Sequence, residues 1–192
     1  MPETRISVAQ REQLNGHRAF ALWLTGLSAS GKTTLARMLE AELLERKKRC
    51  YVLDGDRVRK GLNADLGFSP PDRAENIRRA GEVAKLMVEA GLIVIGAFIT
   101  PYISLRSMVR SLFPADSFYE IFLDCPLEIC EKRDPNGLYR KAREGSIESF
   151  TGISAPYEPP LKPDLRLQTS KKSPKECVDM LLDFVLARCS QS

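Results

Sequence analysis

The chain has 192 residues, enough for one domain with a sizeable core that needs no covalent staples. Lys and Arg number 29 against 25 Asp and Glu, and the net charge of +4 is spread along the chain. That balance suits an anionic small molecule and, with no long basic block, argues against nucleic acid as a partner. The five cysteines (Cys50, Cys125, Cys130, Cys177 and Cys189) form no C-x-x-C pair and no zinc spacing. The longest apolar run, residues 90–99, is too short to span a bilayer, so no membrane association is expected. The polar opening segment has no signal-peptide pattern, and reduced thiols in a cytoplasmic setting are expected.

Residues 1–18 read as an N-terminal extension, packed on the domain or partly disordered, with the domain spanning 19–192. Residues 19–25 (AFALWLT) form an apolar run suited to a buried strand, and residues 33–45 read as a helix. Between them Gly26-Leu27-Ser28-Ala29-Ser30-Gly31-Lys32-Thr33 satisfies G-x-x-x-x-G-K-[ST], the phosphate-cradling loop of P-loop nucleotide-binding proteins. In a strand–loop–helix setting the backbone N–H groups converge on a polyphosphate. Lys32 would meet the β- and γ-phosphates of a nucleoside triphosphate, and Thr33 would offer its hydroxyl to Mg²⁺.

A second strand at 50–53 ends in Asp54-Gly55-Asp56. Ser69-Pro70-Pro71-Asp72 starts a helix, with Ser69 as cap and prolines in the first turn, that runs to about Ala90 and stops at Gly91. Residues 92–99 (LIVIGAFI) suit a central parallel strand. Helix 104–112, strand 119–123 and helix 127–133 follow, then strand 165–169 and helix 174–188. Residues 134–163, rich in Gly, Pro and charge, are long for a connection and read as a mobile lid. The alternation predicts an α/β fold, a P-loop NTPase-type three-layer sandwich whose central parallel sheet of about five strands is flanked by helices.

Three segments narrow the chemistry. Asp54 to Arg59 (DGDRVR) lies at a strand's C-terminal end, where doubly wound sheets bind ligands, although such a run also suits a charged surface turn. Residues 66–79 gather Arg73, Arg78 and Arg79 near Phe68, which suits phosphate or sulfate beside a base, or else a solvated helix face. Residues 133–143 place Arg133, Arg140, Lys141 and Arg143 in the lid, where they could neutralise a transferring phosphoryl group or simply decorate a polar loop.

Together with W-L-T-G-L-S-x-S-G-K-T, D-G-D-x-x-R-x-G-L-N, L-G-F-S-x-x-D-R-x-E-N-I-R-R, G-E-V-A-K-L, A-F-I-T-P-Y, R-D-P-x-G-L-Y-x-K-A-R and F-T-G-I-S-x-P-Y-E, these segments resemble the adenylyl-sulfate kinase family from about Gln13 to Pro163. The resemblance implies phosphorylation of the 3′-hydroxyl of adenosine 5′-phosphosulfate (APS) by ATP with Mg²⁺, in sulfate activation. It further implies a homodimer and a functional link to an ATP sulfurylase.

Carried over by position, ATP would be held by Gly26, Ser28, Ala29, Ser30, Gly31, Lys32, Thr33 and Thr34, with Arg133 and Arg140 from the lid. Arg59, Arg73 and Asn76 match residues that hold the sulfate–phosphate end of APS, and Phe68 and Phe150 match the pair that sandwiches its adenine. Ile99 matches the nucleoside-pocket lining. Lys32, Asp56, Asp54 and Lys141 are the expected catalytic set, Lys141 also touching APS, and Thr33 and Asp56 the metal partners, Asp56 through water. Asn136 stands where the family usually has lysine, and Thr100 where it has serine. A different small-molecule P-loop kinase is the competing enzyme reading, although the Phe68/Phe150 pair counts against a polyol. A GTPase needs N-K-x-D after a strand, which is absent, and the formal D-x-x-G at Asp134–Gly137 lies in the lid.

Overall fold

The computed structural model describes residues 6–190; residues 1–5 of the expected extension and residues 191–192 lie outside the described part. Five strands form one sheet, β1 (Ala21–Thr25), β2 (Cys50–Asp54), β3 (Ile93–Ala97), β4 (Phe118–Asp124) and β5 (Leu165–Gln168). Their order is β2-β3-β1-β4-β5 and every pairing is parallel. Around them run α1 (Val8–Asn15), α2 (Lys32–Glu45), α3 (Gly55–Arg59), α4 (Pro70–Glu89), α5 (Ile103–Arg110), α6 (Leu127–Arg133), α7 (Leu138–Arg143) and α8 (Pro174–Cys189).

All five residues of β1 and of β3 are buried, as expected of central parallel strands covered on both faces. Side chains alternate along the first strand and divide the core in two. Phe20, Leu22 and Leu24 pack with Leu39 and Leu43 of α2 and Leu181 and Val185 of α8. Ala21 and Trp23 face Ile77, Ala84 and Val88 of α4 and Val109 of α5. Gly96 makes room for the indole, since a Cβ there would sit 2.9 Å from Trp23 Cε3. The indole then stacks on Phe98, with ring centroids 4.7 Å apart.

Local signals start and stop the helices as the sequence implies. Ser69 Oγ accepts from Asp72 N with Pro in the first turn of α4, and Gly91 supplies φ +92° beyond its end. Ser173 and Glu176 form a capping box on α8.

Three helices differ from the expectation. α1 occupies part of the extension, capped by Ser7 and Gln10 and tied down by Asn15 Nδ2 to Gly91 O (2.8 Å). α3 follows β2 at once because Asp54 caps it, its carboxylate accepting from Asp56 N and Arg57 N. α7 lies within 134–163, where Tyr139, Ala142 and Phe150 pack with Cys125 and Cys130 in a third, smaller cluster. All five cysteines are unbridged. Among the described residues no helix is long and apolar enough to cross a membrane.

The strand order reverses at β1, between β3 and β4. That topology opens a crevice beyond the strands' carboxyl ends, where the loops after β1, β2 and β3 meet.

Candidate active site

The loop after β1 is shaped by backbone conformations that few side chains tolerate. At Gly26, φ is +152° and a Cβ would stand 2.8 Å from the Leu123 carbonyl oxygen. Ala29 (φ +57°) and Gly31 (φ +106°) complete a turn of positive φ that aims successive N–H groups inward. Gly31 caps α2 without a side chain, so the helix N-terminus is open to an anion. Lys32 Nζ bends back to donate to Gly26 O (3.0 Å) and Leu27 O (2.6 Å). Burial lowers its pKa to about 8, against the opposing pull of Cys130, Asp56 and Asp54.

Thr33 Oγ1 donates to Asp54 Oδ2 at 2.7 Å, while Asp54 Oδ1 holds the first turn of α3. That turn presents Asp56, which is exposed and lines the same cavity. Ser30 Oγ is buried without a hydrogen-bond partner.

Across the cavity, α3, α4 and the loop between them supply cations and an aromatic ring. The Arg59 guanidinium lies 4.5 Å from the Phe68 ring centroid and that of Arg73 5.7 Å from it. Burial depresses both guanidinium pKa values, and for Arg59 the Arg73 charge adds to the effect. Arg73 Nε donates to Phe68 O (2.9 Å) and Nη2 to Ser149 O (2.8 Å), joining α4 to the residue beside Phe150. Phe68 is 61% exposed whereas Phe150 is 9% exposed, edge-on to Tyr139 at 5.0 Å. Buried Asn76 Oδ1 accepts from Asn63 Nδ2 at 2.9 Å.

At the opposite end, Arg133 Nη2 donates to Thr169 O (2.5 Å) and Thr169 Oγ1 to Ser30 O (2.9 Å). Tyr139 OH donates to Ser28 O (3.0 Å), so three side chains brace the loop from outside. One cavity of about 1280 Å³ joins these parts. Its walls include the loop from Ser28 to Thr34, together with Asp54 and Asp56. Arg59, Phe68, Arg73, Asn76, Ile99, Phe150 and Arg133 complete the predicted residues that it brings together.

Gly26, Arg140 and Lys141 are not in the cavity wall. Gly26, the first residue of the loop, is buried against Leu123, and Arg140 and Lys141 are exposed on α7. Arg143 is bound to Glu131 at 2.7 Å. Of the four lid cations that the sequence singles out, Arg133 alone lines the cavity. Sequence reading passed over Thr169, Lys172 and Tyr139. Tyr139 stood inside the G-L-Y block, whereas Lys172 lies in a polar run with no motif to mark it.

A family model described as adenylylsulphate kinase matches residues 18–168. The chain belongs to the adenylylsulphate kinase family. It is 54% identical over 184 residues to an adenylyl-sulfate kinase of Marinobacter nauticus, covering 96% of this chain and 92% of that protein. An adenylyl-sulfate kinase of Geotalea daltonii is 55% identical over 174 residues, covering 91% and 86%. Among solved structures, the Mycobacterium tuberculosis APS kinase in complex with AMPPNP and APS superposes with a TM-score of 0.84 at 47% identity, covering 88% of this chain and 99% of that one. A gluconokinase from Sinorhizobium meliloti shares the fold at 14% identity and a TM-score of 0.58. The expected P-loop NTPase-type α/β architecture and the family resemblance are both borne out.

Proposed function

We propose that this adenylylsulphate kinase transfers the γ-phosphoryl group of ATP to the 3′-hydroxyl of APS, giving ADP and 3′-phosphoadenosine 5′-phosphosulfate. The observation that carries the reading is one cavity holding a phosphate loop at one end and the Arg59, Arg73, Phe68 and Phe150 group at the other. Backbone amides from Ser28 to Thr33 hold the nucleotide phosphates, and Lys32 neutralises charge on the group in transit. Arg59, Arg73 and Asn76 orient the phosphosulfate, while Phe68 and Phe150 offer faces for the acceptor's adenine. The acceptor oxygen forms the new bond to phosphorus as the bond to ADP breaks, and the hydroxyl proton leaves late in a loose transition state. Asp56 stands on the cavity wall to orient that hydroxyl, and positioning outweighs base strength.

The oxygen donors present suit Mg²⁺. The Thr33 hydroxyl and Asp54 carboxylate meet at 2.7 Å beside Asp56, and the described residues contain no cluster of three or more His, Cys, Asp or Glu able to cage a metal. A few hard oxygens completed by phosphate and water are what Mg²⁺ prefers. When bound it would neutralise phosphate charge, with Thr33 as ligand and Asp56 reached through water.

The segment 134–163 acts in this reading as a lid, and its closure would bring Arg140 and Lys141 toward the phosphates and exclude water. A cytoplasmic homodimer supplied with APS by an ATP sulfurylase completes the proposal. The Thiobacillus denitrificans APS kinase, 32% identical over 90% of this chain and 30% of that one, is described as hexameric (TM-score 0.68), so higher assembly is the alternative to test by light scattering. The acceptor is tested by ADP release from Mg-ATP with APS, with AMP and with neither.

A further inference from the structure

We propose that Tyr157 and Arg106 form a two-point latch that positions the acceptor side of the cavity relative to the phosphate loop. Thr25, the residue before Gly26, ends β1 fully buried. Its hydroxyl donates to Ile99 O at 2.6 Å and accepts from Tyr157 OH at 2.9 Å. One side chain therefore joins the entrance of the phosphate loop, the cavity wall after β3 and the stretch that follows Phe150.

Arg106 makes the second point. It is 3% exposed, and all three guanidinium nitrogens are engaged. Nη1 donates to Thr100 O (2.8 Å), Nη2 to Glu158 O (2.6 Å), and Nε lies 2.6 Å from the Glu120 carboxylate. Glu158 returns the tie, its N–H donating to Pro101 O (2.8 Å) and its carboxylate accepting from Ile103 N (2.7 Å) at the start of α5. The wall so held is strained. Thr100 is β-branched, buried and at φ +42°, and Trp23 Nε1 donates to its hydroxyl at 2.9 Å. An unfavourable conformation of this kind persists only where its surroundings over-determine it, and a planar guanidinium that donates to two carbonyls while pairing with a carboxylate supplies what lysine cannot.

Neither Tyr157 nor Arg106 lines the large cavity, whereas Ile99, Thr100, Pro101 and Phe150 do. Seven residues downstream of Phe150, the Tyr157–Glu158 pair fixes the far end of the stretch that carries the ring. Its near end is held by Arg73 through Ser149 O. Both ends of the Phe150 stretch are thus referenced to the acceptor wall; the phosphate loop meets that stretch by apolar packing of Leu27 and Ala29, and the residue before the loop, Thr25, adds the hydrogen bond to Tyr157. Tyr157 and Arg106 are accordingly positioning residues, and losing either should loosen the acceptor more than the nucleotide.

The inference rests on the acceptor assignment above. Steady-state kinetics of the full chain with Tyr157→Phe, which deletes one hydroxyl and keeps the ring, is the decisive test. The APS KM should rise about 3- to 10-fold, the size of one net hydrogen bond, with the ATP KM unchanged and the melting temperature lower by no more than the few degrees that one buried hydrogen bond supplies. Arg106→Lys should move the APS KM further in the same direction, and if it fails to fold, Tyr157→Phe decides alone. An APS KM unchanged in Tyr157→Phe, or APS and ATP KM values raised equally with a lower melting temperature, overturns the latch. Absence of APS-dependent turnover in the unsubstituted chain overturns the acceptor assignment and the latch with it.

Discussion

The Thr33 hydroxyl donates to Asp54 Oδ2 at 2.7 Å, so the end of the phosphate loop and the end of β2 share one hydrogen bond at the cavity floor. The other oxygen of Asp54 caps α3, which carries Asp56. One carboxylate thereby sets two groups that the proposed chemistry uses. Asp54→Asn keeps a capping acceptor but loses the charge, and should lower turnover about 10- to 100-fold with little change in melting temperature. Asp54→Ala should lose the cap as well, lowering stability by about 1 kcal/mol. Paired thermal melts and initial rates separate the two effects.

Lys32 is lowered to a pKa of about 8 by burial. Polyphosphate charge arriving beside it favours the ammonium, so its pKa should rise when nucleotide binds. At pH 8 the ligand-free side chain is near half protonation, and binding should take up about half a proton from buffer. Calorimetric titration in two buffers of different ionisation enthalpy reads this uptake directly. It should shrink at pH 6.5, where Lys32 is already charged, and vanish in Lys32→Ala.

His17, fully buried, fastens α1 to the domain through a neutral ring. Nδ1 donates to Arg18 O (2.9 Å) and Nε2 accepts from Arg49 N (3.0 Å). Burial lowers its pKa below the usual value, with Lys48 and Arg49 adding to the effect and the Arg18 carbonyl and Glu12 opposing it. Because the unfolded state takes the proton first, stability is full above about pH 6.5 and falls as pH drops through that value toward the lower folded one. Melting curves between pH 7.5 and 5 should show this loss, and His17→Gln should flatten that part of the profile. The carboxylates Glu75, Asp65 and Glu176, whose pKa values are lowered chiefly by hydrogen bonds from Arg78, Arg79 and Ser173, lose their contribution only in stronger acid.

Asn136 lines the cavity where the family pattern has lysine. Asn136→Lys adds a cation at an exposed position, where an ion pair contributes little and is screened by salt. A KM for ATP or APS lower by about 2- to 5-fold at low ionic strength is expected, fading in high salt. An unchanged KM at low salt would mean that Arg133 and its neighbours already suffice.

Most of the fold was legible because its determinants are local. A continuous apolar run marked β1, the Ser69-Pro70-Pro71 signal started α4 and Gly91 ended it. The missed helices had weaker marks. α3 is five residues long and rests on one aspartate cap, and α1 is mostly polar with no buried residue, docking through Asn15 and His17 instead of an apolar face. At the site, motif residues on or beside regular elements met in one cavity. Arg140 and Lys141 sit on a short helix whose placement depends on packing of Tyr139 and Phe150. No spacing rule fixes where such a helix sits. Arg106, Tyr157 and Thr25 were invisible as a group because 132 residues separate the last two, and their roles arise only from hydrogen bonds made in the folded state.

The central claim is that the two ends of the cavity hold ATP and APS for direct transfer. The most direct measurement is ADP release from Mg-ATP with APS, with AMP or with no acceptor, with the product identified and Asp56→Ala as control. The account predicts turnover that requires APS, yields 3′-phosphoadenosine 5′-phosphosulfate and disappears in a folded Asp56→Ala protein. ADP release indifferent to APS, or equal with AMP, would contradict it and leave only the nucleotide site standing.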